Sequence, residues 1–138
     1  MHVTKLQDHV FMIDLETGGL DNFIASYVLR GKKVAIIETG PASSVPNIVM
    51  ALKKLGVKPA DVAYVAVSHI HLDHGGGVGT LLKHLPNAKA IVHHRGAPHL
   101  VNLEKLWQQS RIVLGRIADI YGPPEPVPVD RIIPATDG

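Results

Sequence analysis

Three histidines and one aspartate fall within six consecutive positions of the stretch Ser68-His69-Ile70-His71-Leu72-Asp73-His74-Gly75-Gly76. Imidazole and carboxylate groups are good ligands for zinc and similar ions. Because an extended backbone places alternate residues on one side, His69 and His71 are predicted to bind one metal ion. Asp73 and His74 follow in a turn, where they can face a second ion. The stretch therefore predicts a metal site rather than a loop of imidazoles that merely hydrogen-bond the backbone.

The elements around this stretch indicate an α/β fold. Strands are predicted at residues 10–15, 24–29, 34–37, 62–67 and 90–92, with the second and third of these forming a hairpin. Helices are predicted at residues 45–55, 78–85 and 103–121. Several apolar side chains of the last helix are available for burial: Leu103, Leu106, Trp107, Val113, Leu114, Ile117 and Ile120. Strands that give way to alternating helices and strands predict a mixed sheet with helices packed on it.

Composition narrows the class of protein. The chain has 138 residues, of which 46% are hydrophobic and 19% charged, with a net charge of +2. This balance argues against a nucleic-acid partner, which requires clustered Lys and Arg. Cys is absent, so any metal must be held by His, Asp and Glu. With no apolar run of about 20 residues and no secretion signal, the expected location is the cytoplasm, without a membrane partner.

The hexapeptide from His69 to His74 resembles the His-x-His-x-Asp-His signature of the metallo-β-lactamase superfamily. The strand before it, Gly75-Gly76 after it, Tyr27 in an early strand and Glu38-Thr39-Gly40 at the end of another also resemble this family. The resemblance implies an αββα sandwich. Residues 1–138 are expected to form the N-terminal half of this single domain, with the C-terminal part missing.

The resemblance also implies a ligand set. His69 and His71 would bind the first metal ion, Asp73 and His74 the second, and Asp73 would hold the attacking water as the catalytic residue. Two zinc ions are expected in a complete site, with iron or manganese as alternatives. Glu38 stands where the family usually has Asp, a residue that braces the metal loop.

The ligand count is incomplete within this sequence. Two zinc ions that share one carboxylate need at least five protein ligands, and the hexapeptide offers four. The family takes a third His for the first metal, a bridging Asp and a last His from later segments. His93, His94 and His99 follow a strand end and could lie near the site. Of these, His93 and His94, together with Arg95, are candidates for the substrate rim.

The function that the resemblance implies is a dinuclear metallo-hydrolase with a metal-bound hydroxide. Its small-molecule substrate would be a carboxylic ester, thioester, lactone or lactam. Three alternatives stay open: a phosphodiesterase or nuclease of the same fold, an iron-dependent persulfide dioxygenase, and a non-enzymatic scaffold. A homodimer also stays open.

Overall fold

A computed structural model describes residues 2–19 and 24–136, without the side chains of His2, Leu72 and Asp73. Seven strands form one sheet: β1 (His2–Gln7), β2 (Val10–Asp14), β3 (Ala25–Arg30), β4 (Val34–Ile37), β5 (Val62–Ala66), β6 (Lys89–His93) and β7 (Ile132–Ala135). Six α-helices lie in the described ranges: α1 (Val45–Lys54), α2 (Leu72–Gly75), α3 (Val78–Leu82), α4 (Ala97–Val101), α5 (Glu104–Leu114) and α6 (Arg116–Tyr121).

The strands lie side by side in the order in which they occur along the chain. Strands β1 to β4 pair antiparallel, and β4, β5, β6 and β7 then pair parallel. The parallel connections contain helices, as such crossovers require. This arrangement confirms the predicted mixed sheet and the predicted hairpin, which is formed by β3 and β4.

One face of the sheet carries the hydrophobic core. The register aligns Phe11, Val28, Ile36, Val65 and Ala90 across neighbouring strands. Apart from Phe11, which packs against the core from its edge, these side chains are fully buried. Helices α1 and α3 contribute further residues to the same cluster: Val45, Ile48, Ala51, Leu52, Val78, Leu81 and Leu82. The helices therefore cover this face.

The opposite face of the sheet is also apolar but only partly covered. The register aligns one row of side chains across six strands: Met12, Tyr27, Ile37, Ala66, Ile91 and Ile133. The first five are half-buried, and Ile133 is 38% exposed. We name this row the second face. Its composition is that of a surface suited to packing against another layer.

The predicted helix at residues 103–121 is wrong as a single element. Gly115, with φ 57° and ψ −123°, ends α5 and separates it from α6. Leu103 and Leu106 are buried, and Trp107 and Leu114 are half-buried. Three of the side chains expected in the core are instead exposed: Val113, Ile117 and Ile120. In α6 the buried residues are Ala118 and Tyr121, which form a second, smaller cluster.

Across the described residues, none of the helices combines the length and the apolar character that crossing a membrane demands.

Candidate metal centre

The histidine stretch lies where the parallel strands end. Residues 67–71 leave the carboxyl end of β5, and α2 follows directly. Glu38 follows the end of β4, and His93 is the last residue of β6. Because β4, β5 and β6 are parallel, these ends meet at one edge of the sheet. Ligand sites in open α/β sheets occur at this edge.

The three imidazole rings of the stretch lie close together. The ring centroids of His69 and His74 are 4.9 Å apart. Those of His69 and His71 are 6.3 Å apart, with planes inclined by only 14°. The nearly parallel rings fit the expectation that an extended backbone places His69 and His71 on one side. His74, by contrast, comes from the short helix α2 rather than from an open turn.

Glu38 contacts the stretch with both carboxylate oxygens. The backbone N–H of Ser68 donates to Oε1 at 2.5 Å, and Nδ1 of His74 lies 2.8 Å from Oε2. Since an ionised carboxylate only accepts hydrogen bonds, Nδ1 of His74 is the donor. This leaves Nε2 as the nitrogen through which His74 could bind a metal. A histidine bonded to a carboxylate in this way is typical of metal sites.

The segment after Glu38 also contacts the histidine loop. The carbonyl of His74 accepts hydrogen bonds from the backbone N–H groups of Thr39 and Gly40, each at 3.1 Å, and the Thr39 hydroxyl lies at the same distance. On the loop itself, a Cβ atom at Gly75 would come within 2.7 Å of the His69 carbonyl. The close approach of the two halves of the loop therefore requires glycine at position 75.

His69 has a hydrogen-bond partner next to it in sequence. Its Nδ1 lies 2.8 Å from the Ser68 hydroxyl, so Nε2 is its candidate metal ligand. His71 is exposed. His69 is exposed as well, and His74 is half-buried. The donor set is thus three imidazoles, two of which have Nδ1 next to a neighbouring group, a chemistry that suits zinc.

The described side chains do not form a closed metal site. Among them, no three His, Asp or Glu groups converge closely enough to hold an ion. The side chain of Asp73, predicted to be both a ligand and the catalytic residue, lies outside the described part of the structure. The predicted ligand set for His69, His71, Asp73 and His74 therefore stays a prediction.

The three predicted rim residues occupy different surroundings. His93 lines a cavity of about 240 Å³ together with His69 and His71. The ring of His94 lies against that of His93, with centroids 4.4 Å apart and planes inclined by 33°. His94 nevertheless lines a different cavity, together with Ala97 and Val129. Arg95 is exposed, and its backbone N–H donates to Nδ1 of His93 at 3.2 Å. His93 is thus the rim candidate that shares a cavity with the histidine stretch.

Sequence reasoning missed two polar contacts of the loop. The sequence pattern assigns no contact to Ser68, which precedes the motif. It also assigns none to Thr39, which is noted only because Glu38-Thr39-Gly40 resembles the family. Both act through short-range hydrogen bonds to residues 69 and 74, and that pairing has no signature in spacing. Adjacency to His69 was the one available signal for Ser68.

Comparisons with known proteins point to the same family as the histidine motif. The sequence profile of the Metallo-beta-lactamase superfamily matches residues 20–138. The N-acyl homoserine lactonase AttM of Azorhizobium caulinodans is 51% identical over 47 residues, which are 34% of this chain and 16% of that protein. The chain therefore matches only a small part of this relative's length.

Solved structures give a longer match. A motif mutant of the metallo-beta-lactamase of Cronobacter sakazakii has a TM-score of 0.64 at 27% identity, over 73% of this chain and 38% of that one. A subclass B3 metallo-beta-lactamase from a soil metagenome has a TM-score of 0.72 at 19% identity. The latter match covers all of this chain and 47% of the other, and it shows the fold alone.

Proposed function

Because the chain belongs to the metallo-β-lactamase superfamily, we propose that residues 69–74 bind the metal ions of a hydrolase. Its substrate is a small carboxylic ester, thioester, lactone or lactam. The observation that carries this proposal is the bidentate contact of Glu38 with Ser68 and His74. The contact fixes the loop and directs Nε2 of His74 toward a ligand. The name of the lactonase relative supports the substrate class.

The residue roles follow from the motif and its contacts. His69 and His71 would hold the first zinc ion, and Asp73 and His74 the second. When bound, zinc supplies a water of lowered pKa and a positive charge that polarises the scissile carbonyl. Asp73 would orient that water and accept its proton. Glu38 is a positioning residue, since it keeps the proton of His74 on Nδ1.

The site needs more ligands than the hexapeptide offers. At least five protein groups are required for two zinc ions that share a carboxylate. We therefore expect the remaining donors to come from chain outside residues 1–138. The second face of the sheet supports this expectation, because it is an apolar surface suited to the second sheet of an αββα sandwich.

A substrate panel tests the proposal. The longest natural chain is loaded with zinc or with iron and offered a lactone, a thioester, a phosphodiester and a persulfide. We expect the zinc form to open the lactone or the thioester. Phosphodiester cleavage alone would indicate a nuclease, and persulfide oxidation by the iron form a dioxygenase. If the longest natural chain turns over none of the four substrates, the hydrolase proposal fails and the result supports a non-enzymatic scaffold.

A further inference from the structure

A cavity of about 350 Å³ lies beside the histidine loop. Four apolar or aromatic side chains of α5 and α6 line it: Leu106, Val113, Leu114 and Tyr121. Leu106 and Tyr121 are each only 6% exposed, whereas Val113 is 81% exposed. The cavity thus has a fixed apolar floor and one wall that is open to a ligand. Its size lies within the range of small-molecule sites.

The cavity is continuous with the loop through His71. This side chain lines the 350 Å³ cavity, and it also lines the smaller cavity that contains His69. The remaining lining groups are the neutral polar side chains of Gln109 and Ser110. No Lys or Arg side chain lines the cavity among the described residues, although Arg111 and Arg116 lie on the same two helices. The lining therefore suits an uncharged apolar group, and it offers no Lys or Arg to pair with the charge of a phosphodiester.

We propose that this cavity receives the aliphatic part of the substrate's acyl group, with the scissile carbonyl directed toward His71. The proposal rests on the proposed function, since it names the substrate class of the same site. Leu106, Leu114 and Tyr121 would contact the acyl group from the buried side of the cavity. Val113 would contact it from the open side. Val113 is then a specificity-determining residue. Contact with the substrate would explain why an exposed position carries an apolar side chain.

Adjacent residues of α5 provide a matched pair for the test. Val113 lines the cavity, whereas Ile112, 84% exposed, is not among its lining residues. Substituting aspartate at either position adds the same charge, near the same helix end, on a side chain with little contact to the core. Only Val113→Asp places that charge in the cavity. Both variants are therefore expected to fold, and a difference between them reports on the cavity.

Equilibrium dialysis of the metal-free full chain against decanoate and butanoate measures the binding directly. We expect decanoate to bind at least 10-fold more tightly than butanoate. We also expect Val113→Asp to weaken decanoate binding at least 10-fold, and Ile112→Asp to change it less than 2-fold. The single tryptophan, Trp107, packs against the buried cluster of Ala118 and Tyr121 and should report the same binding by its fluorescence.

Two results would overturn the inference: equal binding of the two carboxylates, including none for either, or equal weakening by the two substitutions. Because the measurement needs neither metal nor turnover, its failure is distinguishable from that of the proposed hydrolase. A protein that hydrolyses short esters but does not prefer decanoate would keep the proposed function and lose this inference.

Discussion

Glu38 adopts a left-handed backbone conformation, with φ 66°, although it is not a glycine. Such a conformation costs a non-glycine residue about 1 to 3 kcal/mol and is concentrated at functional sites. The gain at this position is the pair of contacts to Ser68 and His74. Glu38 was singled out because it stands at a position where the family usually has Asp. The longer side chain nevertheless reaches both partners, a geometry that sequence alone did not establish.

Glu38→Gln should weaken zinc binding by about 10- to 100-fold, because the neutral amide holds the Nδ1 proton of His74 less strongly than the carboxylate does. Competition with a chromophoric chelator measures the affinity. The matched control is Glu104→Gln, which makes the same change at an exposed position of α5. A zinc affinity within 2-fold of that of the unmodified chain would show that Glu38 does not position a metal ligand.

Asp73→Ala tests the residue on which the proposed chemistry most depends. We expect the variant to lose the second metal ion and to lower turnover by orders of magnitude, because no other group of the hexapeptide orients the attacking water. Metal analysis and lactone or thioester turnover check the two effects separately. Turnover close to that of the unmodified protein would contradict the assignment of Asp73.

At the scale of elements, the sequence predicted the sheet better than the last helices. The apolar run at 62–67 became β5, and the pattern at 45–55 became α1, which Gly56 follows with φ 72°. The apolar spacing from 103 to 121 continues across Gly115, so periodicity alone predicted one helix. The break depends on the conformation of one glycine and on what each half packs against, and neither is visible in spacing.

Helix α3 packs closely against the segment before β7. A Cβ atom at Gly79 would overlap the carbonyl of Glu125, and backbone cannot move aside as a flexible side chain can. Gly79→Ala should therefore lower the free energy of unfolding by about 1 to 3 kcal/mol, as overpacking does. Urea denaturation measures this change.

Gly31→Ala is the control for that prediction, because its Cβ would meet the Lys33 carbonyl at an ordinary 3.6 Å. We expect its unfolding free energy to change by less than about 1 kcal/mol. Equal effects of the two substitutions would mean that contact at Gly79 does not control the packing of α3.

At the scale of the whole molecule, the two faces of the sheet differ. The helix-covered face is fully buried at Val28, Ile36 and Val65, whereas the second face is apolar and half-buried. The continuous apolar run at 62–67 is typical of a strand that is buried on both faces. The structure buries Val62 and Val65 and leaves Ala63, Tyr64 and Ala66 half-buried. The sequence does not show which surface lies against a strand, so it could not predict that the two faces of β5 differ in burial.

Adjacent residues of β6 test the second face. Ile91 belongs to it and is half-buried, whereas Val92 is 2% exposed on the core side. Ile91→Lys should change the unfolding free energy by less than about 1 kcal/mol and reduce the binding of a hydrophobic dye. Val92→Lys should destabilise by more than about 4 kcal/mol, because it buries an unpaired charge. If Ile91→Lys destabilises the chain as much as Val92→Lys does, the second face is buried within this chain and is not a partly covered surface.

The histidine stretch stands out in the sequence alone, because four candidate ligand side chains within six residues form a local pattern that needs no knowledge of the fold. The contacts that hold the stretch in place were not predictable, since they depend on groups distant in sequence. Glu38 and Thr39 reach the stretch across the sheet edge, and the side chain of Asp73 lies outside the described residues.

Zinc titration of the unmodified chain, of His69→Ala and of His84→Ala tests the central claim most directly. His84 is exposed and lines a different cavity with Lys53 and Lys58, so it serves as the control histidine. The account predicts that the unmodified chain and His84→Ala bind zinc alike, and that His69→Ala loses at least one bound ion or weakens zinc binding at least 10-fold. Equal zinc binding by all three proteins would show that residues 69–74 are not the metal site.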